Sequence, residues 1–244
     1  MIYIYILILI CLILLYIYTP IEDTDEVCDT DEQLDRAVFL KNLPFKSGET
    51  VNVYIKDVLD TKGEFKNFIT GIVNKYVKPH VNLNFIIDDK PPLNSFSSIT
   101  ITNDESLMQS KNANGVTFDA GTNFPLIVIR NAKTRTVIHE IGHVLGLAHE
   151  MSHPDGSGKL DLEAIVDTWM KRNPGIDRDT ATDNVIKQNF TKLDLDEYGY
   201  SPIFDKDSVM LYNYSADKTT NGVKIVGGKE FSTMDKVQLK KMYP

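Results

Sequence analysis

One short stretch constrains this chain more than any other, because its residue pattern predicts both a local structure and a metal ion. It runs from His139 to Glu150 and reads H-E-x-x-H-x-x-G-x-x-H-E. Two histidines four residues apart on a helix lie one turn apart on the same face, so both imidazoles can reach one ion at about 2.0–2.1 Å. Gly146 lets the backbone leave the helix through a left-handed turn, which can bring His149 round as a third ligand.

Three protein ligands leave one coordination position open for water, which is typical of a catalytic zinc site rather than a structural one. We therefore expect one catalytic Zn²⁺ ion bound by His139, His143 and His149. Zinc lowers the pKa of its water toward neutrality. Glu140 adjoins a ligand, and we expect it to accept the water proton as general base and to pass it to the leaving amine.

The flanking residues predict a half-buried helix, since apolar side chains recur at helical spacing. Thr134 or Thr136 is the expected cap at its start. The other reading of the motif, an exposed turn without metal, is disfavoured by the glycine and the third histidine at fixed offsets. Two histidines lie outside the motif. His80 is expected in a solvated loop, and His153 at the surface or beside the ligands rather than bound to the ion.

The N-terminal region predicts a location outside the cytoplasm. Ile2 to Tyr18 is an unbroken apolar run without a preceding Lys or Arg. Segment 1–19 is therefore a signal peptide or an uncleaved signal anchor, and the lack of a small-residue cleavage site favours the anchor. Either way the remainder is extracytoplasmic, secreted or anchored to a membrane through residues 2–18.

An acidic segment, residues 20–35, follows and is predicted to be a spacer or pro-segment. Its Cys28 is either a thiolate that blocks the open zinc position or a spectator, and the spectator reading is favoured because no known latency motif surrounds it. The net charge of −8 argues against a nucleic-acid partner. Residues 36–244 form one predicted catalytic domain, which we expect to be a monomer without an internal disulfide.

The pattern of this domain is strand, helix, several strands, helix, which predicts an α+β fold with a mixed sheet and a helix on its face. The predicted strands span Val51–Ile55, Asn82–Ile87, Ser98–Asn103, Gly115–Phe118 and Pro125–Arg130. Besides the motif helix, the predicted helices span Thr61–Val77, Leu160–Met170, Thr180–Phe190 and Met234–Met242.

Two motifs together resemble the metzincin zinc peptidases. The first is the histidine motif and the second is a downstream Met-turn, Ser208-Val209-Met210-Leu211-Tyr212. Within that group the chain is most similar to the astacin family, because Glu150 follows the third histidine and Tyr212 lies two residues after Met210. Serralysins share the tyrosine and are the second choice, ahead of the matrixin-like pattern.

The resemblance implies a metzincin-like fold, with a mostly parallel sheet, an active-site helix and a mainly irregular or helical C-terminal subdomain. It also implies that Met210 forms an apolar floor beneath the zinc and that Tyr212 is a fifth ligand that swings away to stabilise the oxyanion. We expect a zinc-dependent endopeptidase acting on proteins or peptides.

Extended substrates are expected to pair with an exposed edge strand beside the cleft. The residues predicted for it are Leu126, Ile127, Val128 and Ile129. The alternative function is a membrane-tethered binding protein with a weak or silent site on the same scaffold.

Overall fold

The computed structural model describes residues 45–59, 61–91, 97–107, 115–118, 125–129, 133–153, 156–189 and 204–244. The predicted segments 1–19 and 20–35, with Cys28, lie outside these ranges, as does Arg130 at the end of a predicted strand. Among the residues described, no helix combines the length and apolarity that a membrane crossing requires.

A five-stranded sheet occupies the N-terminal part of the described chain. Its strands are β1 (Thr50–Lys56), β2 (Asn84–Asp88), β3 (Ser98–Thr102), β4 (Gly115–Phe118) and β5 (Pro125–Val128). Their spatial order is β2-β1-β3-β5-β4; four strands run parallel, and β4 runs antiparallel to β5. The predicted α+β fold with a mixed, mostly parallel sheet is therefore confirmed.

Alternation along β1 explains why this segment is a central strand. Val51, Val53 and Ile55 are buried, and the residues between them are only partly so. Val51 pairs with Phe85 of β2, and Ile55 pairs with Ile101 of β3. Side chains of period two thus supply one continuous apolar face, which the helices cover.

The prediction of an exposed edge strand at Leu126–Ile129 is wrong. Strand β5 lies inside the sheet, between β3 and β4, and all four of these side chains are buried. The pattern predicted both strands but did not indicate how they pair. A four-residue strand, β4, pairs antiparallel outside β5 and becomes the outermost strand of the described sheet.

The first two helices along the described chain share a core with the sheet. They are α1 (Glu64–Ile72), which continues as a π-helical turn to Val77, and α2 (Thr134–Val144). Helix α1 begins later than Thr61 because Lys62 and Gly63 adopt left-handed conformations, with φ of 54° and 84°. The Thr61 hydroxyl instead accepts the backbone N–H of Phe65 at 3.0 Å.

The predicted threonine caps of α2 are wrong. The cap position is Lys133, whose side chain makes no capping bond, and Thr134 is already helical. An N-cap precedes the first helical residue.

In the part of the chain that the structure describes, three α-helices follow the motif: α3 (Leu162–Arg172), α4 (Arg178–Asn189) and α5 (Thr233–Met242). Helices α3 and α4 form a second core with Met151, Leu211 and Tyr212, whereas α5 joins the first core. Val209 and Met210 belong to the first core and Leu211 and Tyr212 to the second. The predicted Met-turn therefore lies where the two cores meet.

Candidate zinc site

Helix α2 and the turn after it bring three histidines together. His139 and His143 lie one turn apart on α2, and the helix ends at Val144. Gly146 then takes φ of 96°, in the left-handed region, as the sequence predicts. Its N–H bonds back to the His143 carbonyl at 2.8 Å, and the chain reverses to place His149 beside the other two rings.

The three imidazoles converge through their Nε2 atoms. His143 Nε2 lies 3.1 Å from that of His139 and 2.9 Å from that of His149, and the third separation is 3.3 Å. A tetrahedral ion with bonds of about 2.0–2.1 Å holds its ligand nitrogens about 3.3–3.4 Å apart. The donor set therefore fits one zinc ion.

Hydrogen bonds on the opposite ring nitrogens fix the tautomers of two ligands. His139 Nδ1 is 2.9 Å from the Val209 carbonyl, and His143 Nδ1 is 3.0 Å from the Leu147 carbonyl. A carbonyl can only accept, so each Nδ1 carries the proton and each Nε2 presents a lone pair. Lone pairs that face one another at such distances repel unless a cation lies between them.

Burial keeps the histidines neutral, as metal ligation requires. Each is about 4 or 5% exposed. Removal from water lowers the pKa of His139 and His149 well below the usual value, and the neighbouring imidazoles lower both further. Burial lowers the pKa of His143 to about 4.

Tyr212 joins the cluster from the Met-turn. Its Oη lies 2.6 Å from His149 Nε2, and its ring is tilted against that of His149 with 4.4 Å between centroids. The side chain is buried. A phenol hydroxyl is thus held beside the converging ligand nitrogens.

Met210 packs directly beneath the ligand helix. A Cβ at Gly142 would lie 2.7 Å from Met210 Sδ and 3.3 Å from Phe231. Glycine at this position therefore permits the close approach of the Met-turn to α2. Glu140, on the same helix, is buried with only 4% of its surface exposed.

Glu150 connects the end of the motif to the chain before the Met-turn. Its Oε1 accepts the backbone N–H of Asp205 at 2.6 Å, and its own N–H bonds to the Met210 carbonyl at 3.1 Å. Burial raises the pKa of Glu150 to about 7, although the Asp205 hydrogen bond opposes that shift.

The sequence did not reveal the supporting contacts that Arg135, Ser208 and Asp235 make around the site. Arg135 donates to the carbonyls of Leu211 at 2.6 Å and Gly228 at 2.9 Å. Asp235 accepts from the Ser208 hydroxyl at 2.8 Å. Only the Ser232-x-x-Asp235 spacing, a capping-box pattern, gave a signal in the sequence, and it indicated a helix start rather than a site.

The two remaining histidines lie apart from the described cluster. His153 is buried rather than at the surface, and its ring packs against Phe204 with 6.2 Å between centroids. The short helical turn Glu150–Ser152 separates it from His149. His80 lies in a turn, Lys78–His80, and is partly exposed.

Known proteins resemble this chain in structure but not in sequence. No protein-family model and no curated sequence matches the chain. The structure is similar to that of myroilysin, with a TM-score of 0.60 and 19% identity over 86% of this chain and 98% of the other. It is also similar to high choriolytic enzyme 1, a hatching enzyme zinc-protease from the medaka fish Oryzias latipes. That match has a TM-score of 0.52 and 16% identity over 80% of this chain and 88% of the other.

These matches cover most of both chains, so the likeness concerns the whole fold and not the motif helix alone. The chain therefore has the fold of these two proteins, and the expected resemblance to astacin-type metzincins is confirmed for that fold and for the cluster of His139, His143 and His149.

Proposed function

We propose that this chain is a zinc-dependent endopeptidase that hydrolyses peptide bonds in proteins or peptides. The observation that carries the proposal is the convergence of three buried, neutral histidine nitrogens within 3.3 Å of one another. The three are His139, His143 and His149. The similar fold of a hatching enzyme zinc-protease supports it.

A zinc ion bound there would supply a Lewis acid and lower the pKa of a water molecule toward 7. Glu140 follows the ligand His139 on a helix and is buried beside it. Its carboxylate accepts the proton of the attacking water and delivers it to the leaving amine, as a general base that becomes a general acid. A glutamate in this position has no use in a silent site, which counts against the binding-protein alternative.

Tyr212 supplies the second catalytic group. Its hydroxyl lies at the ligand nitrogens, 2.6 Å from His149, where a scissile carbonyl would have to approach. A phenol donates a hydrogen bond to the oxyanion that develops on that carbonyl. The ring packs against the rings of His139 and His149, which holds the hydroxyl beside the ligand nitrogens.

Strand β4 is the substrate-pairing strand of this proposal, in place of Leu126–Ile129. It is the outermost strand of the described sheet, it runs antiparallel to β5, and it contacts α2. An extended peptide can add to such an edge through main-chain hydrogen bonds. Gly115–Phe118 therefore guides substrate toward the histidines.

The test is hydrolysis of casein or gelatin by the purified chain, with and without 1,10-phenanthroline. The matched control is 1,7-phenanthroline, which has the same shape but does not chelate. We expect inhibition by the first compound alone, and recovery on adding Zn²⁺. Activity that survives removal of the metal would overturn the assignment. Bound zinc without any hydrolysis would favour the silent binding protein.

The location follows from the same proposal. A peptidase of this kind acts outside the cytoplasm, and the apolar run at residues 2–18 is a suitable export or anchoring signal. N-terminal sequencing of the mature protein tests it. Recovery of a chain that begins after residue 19 would support a cleaved signal, and an intact start would support the anchor.

A further inference from the structure

An unbroken series of hydrogen bonds leads from one zinc ligand to a buried carboxylate on the last helix. His139 Nδ1 lies 2.9 Å from the Val209 carbonyl. The N–H of Met210 donates to the Ser208 hydroxyl at 3.0 Å. That hydroxyl donates to Asp235 Oδ1 at 2.8 Å. The Val209 carbonyl and the Met210 N–H are the two ends of one peptide group, so no link in the series is missing.

All the donors point the same way, from the imidazole toward the carboxylate. The imidazole N–H donates to a peptide, the peptide N–H donates to a hydroxyl, and the hydroxyl donates to Asp235. Hydrogen bonds aligned in this manner polarise one another, and the effect is larger where water is excluded. His139, Ser208, Val209, Met210 and Asp235 are all buried, with at most 7% of their surface exposed.

Asp235 is held firmly at the end of this series. Its Oδ2 accepts the backbone N–H of Val209 at 3.2 Å and of Ser232 at 3.0 Å. The Ser232 hydroxyl in turn accepts the Asp235 N–H, which forms the capping box of α5. The start of a helix also favours a carboxylate. The C-terminal helix therefore fixes the carboxylate relative to the Met-turn.

We propose that Ser208 and Asp235 are positioning residues for the zinc ligand His139, which they orient and polarise through the Val209–Met210 peptide. The proposal rests on the zinc site of the proposed function. A carboxylate that acts on the far nitrogen of a ligating imidazole fixes its tautomer and raises the basicity of the nitrogen that binds metal. Here the Val209–Met210 peptide and the Ser208 hydroxyl connect the Asp235 carboxylate on α5 to the imidazole of His139.

His143 provides an internal comparison. Its Nδ1 also bonds to a carbonyl, but that carbonyl belongs to Leu147, only four residues away, in the turn that ends α2. The orientation of His143 is thus set by local structure. His139 depends on residues about 70 to 96 positions further along the chain. Loss of Ser208 or Asp235 should therefore affect His139 and spare His143.

The first measurement is zinc affinity of the full chain by competition with a chromophoric chelator. Ser208→Ala and Asp235→Asn should each weaken zinc binding about tenfold, the size expected for outer partners of a metal ligand. Ser232→Ala is the matched control. It removes a hydroxyl bonded to the same Asp235 and damages the helix cap, but leaves the series to His139 intact. It should lower thermal stability and leave zinc affinity unchanged.

The second measurement is made on the metal-free chain, so that it stands apart from zinc binding and peptidase activity. The Nδ1–H proton of His139 is followed by nuclear magnetic resonance. It should move upfield in Ser208→Ala and Asp235→Asn, because a less polarised carbonyl accepts a weaker hydrogen bond. The corresponding proton of His143 should stay in place in both variants, as should both protons in Ser232→Ala.

Unchanged zinc affinity and an unchanged His139 resonance in folded Ser208→Ala and Asp235→Asn would overturn the proposal. So would a loss of affinity in Ser232→Ala as large as theirs, since that would indicate general loosening of the helix. If the unaltered chain bound no zinc, the proposed function would fail, and the metal-free resonances would still decide whether the carboxylate acts on His139.

Discussion

The two segments that build the candidate site differ in what positions them. The ligand segment runs from His139 to His149, and its shape follows from local structure: one helical turn, then a left-handed glycine. The Met-turn reaches the same place through distant partners. Ser208 bonds to a residue 27 positions away, and Leu211 accepts from an arginine 76 positions before it.

The ligand segment supplies the reactive groups of the site, whereas the contacts around the Met-turn position them. The backbone of the ligand segment is shaped locally, because its main-chain hydrogen bonds close within a few residues. Its long-range bonds are made by side chains, as from His139 to the Val209 carbonyl. The Met-turn is defined only by the surrounding fold: Asp235 holds its start, Arg135 holds the Leu211 carbonyl, and Glu150 N–H bonds to the carbonyl of Met210. Substitutions in the ligand segment should remove a ligand or the general base. Substitutions around the Met-turn should leave those groups present but change their positions.

The largest expected effect comes from the ligand segment. Glu140→Ala should lower kcat by about 10⁴-fold, the upper end for loss of a general base, because both proton transfers depend on it. Zinc content should stay at that of the unaltered chain, since Glu140 is not a ligand. Glu163→Ala, at an exposed glutamate on α3, is the control and should retain full activity. Substantial peptidase activity in Glu140→Ala would exclude this mechanism.

The next effect tests the Met-turn. Tyr212→Phe should lower kcat by about 10²- to 10³-fold, as expected when one donor to an oxyanion is lost. KM and the urea midpoint should change little, because the ring still packs among the histidines.

Tyr214→Phe is the matched control for this change, since it also removes the hydroxyl of a buried tyrosine in the same segment. It should leave kcat intact. If Tyr212→Phe instead removed zinc or unfolded the chain, the tyrosine would be structural.

The same contrast explains how far the sequence could be interpreted. Strands β1 and β3, the zinc helix and its left-handed exit at Gly146 were all predicted, because periodicity and glycine act over a few residues. The prediction failed for strand pairing, because periodicity does not indicate which strands lie next to one another. The four-residue strand β4, rather than β5, forms the edge of the described sheet. The sequence also gave no sign of the contacts of Ser208, Arg135 and Asp235, because their partners come together only when the chain folds.

The ligand segment and the Met-turn touch where Gly142 meets Met210. Gly142→Ala should lower the free energy of unfolding by about 1–3 kcal/mol, the usual cost of overpacking a core, because the new methyl would lie 2.7 Å from Met210 Sδ. Gly71→Ala is the control on helix α1, where no atom lies within 4 Å of the added Cβ. That change should instead stabilise the chain by about 0.5–1 kcal/mol. Urea unfolding of the metal-free proteins measures both, and equal effects would show that the Met-turn does not press on α2.

The smallest effect concerns Glu150, which joins the two segments. Burial raises its pKa from the ordinary 4.5 to about 7. The folded chain therefore holds this proton more tightly than the unfolded chain does. Between pH 4.5 and 7 the folded state binds more protons at this group, so its contribution to stability falls as the pH rises and levels off above 7.

Glu150→Gln keeps an oxygen that can accept the Asp205 N–H but removes the titration. Metal-free variants unfolded in urea at pH 5 and pH 8 give the relevant difference in unfolding free energy. Relative to the unaltered chain, Glu150→Gln should gain stability at pH 8 and little at pH 5. The buried histidines titrate in every variant, so their contribution cancels in this comparison.

Glu49→Gln is the control for the direction in which the unfolding free energy changes with pH. Hydrogen bonds from the Lys46 N–H and the Ser97 hydroxyl lower the pKa of Glu49, so its carboxylate stabilises the fold above about pH 4.5 and that contribution is lost on acidification. Glu49→Gln should therefore lose stability at pH 8, opposite to Glu150→Gln. If the unfolding free energies of both variants changed in the same direction, the charge of Glu150 would have no destabilising effect. Its hydrogen bond with the Asp205 N–H would then act only by fixing the geometry between the two segments.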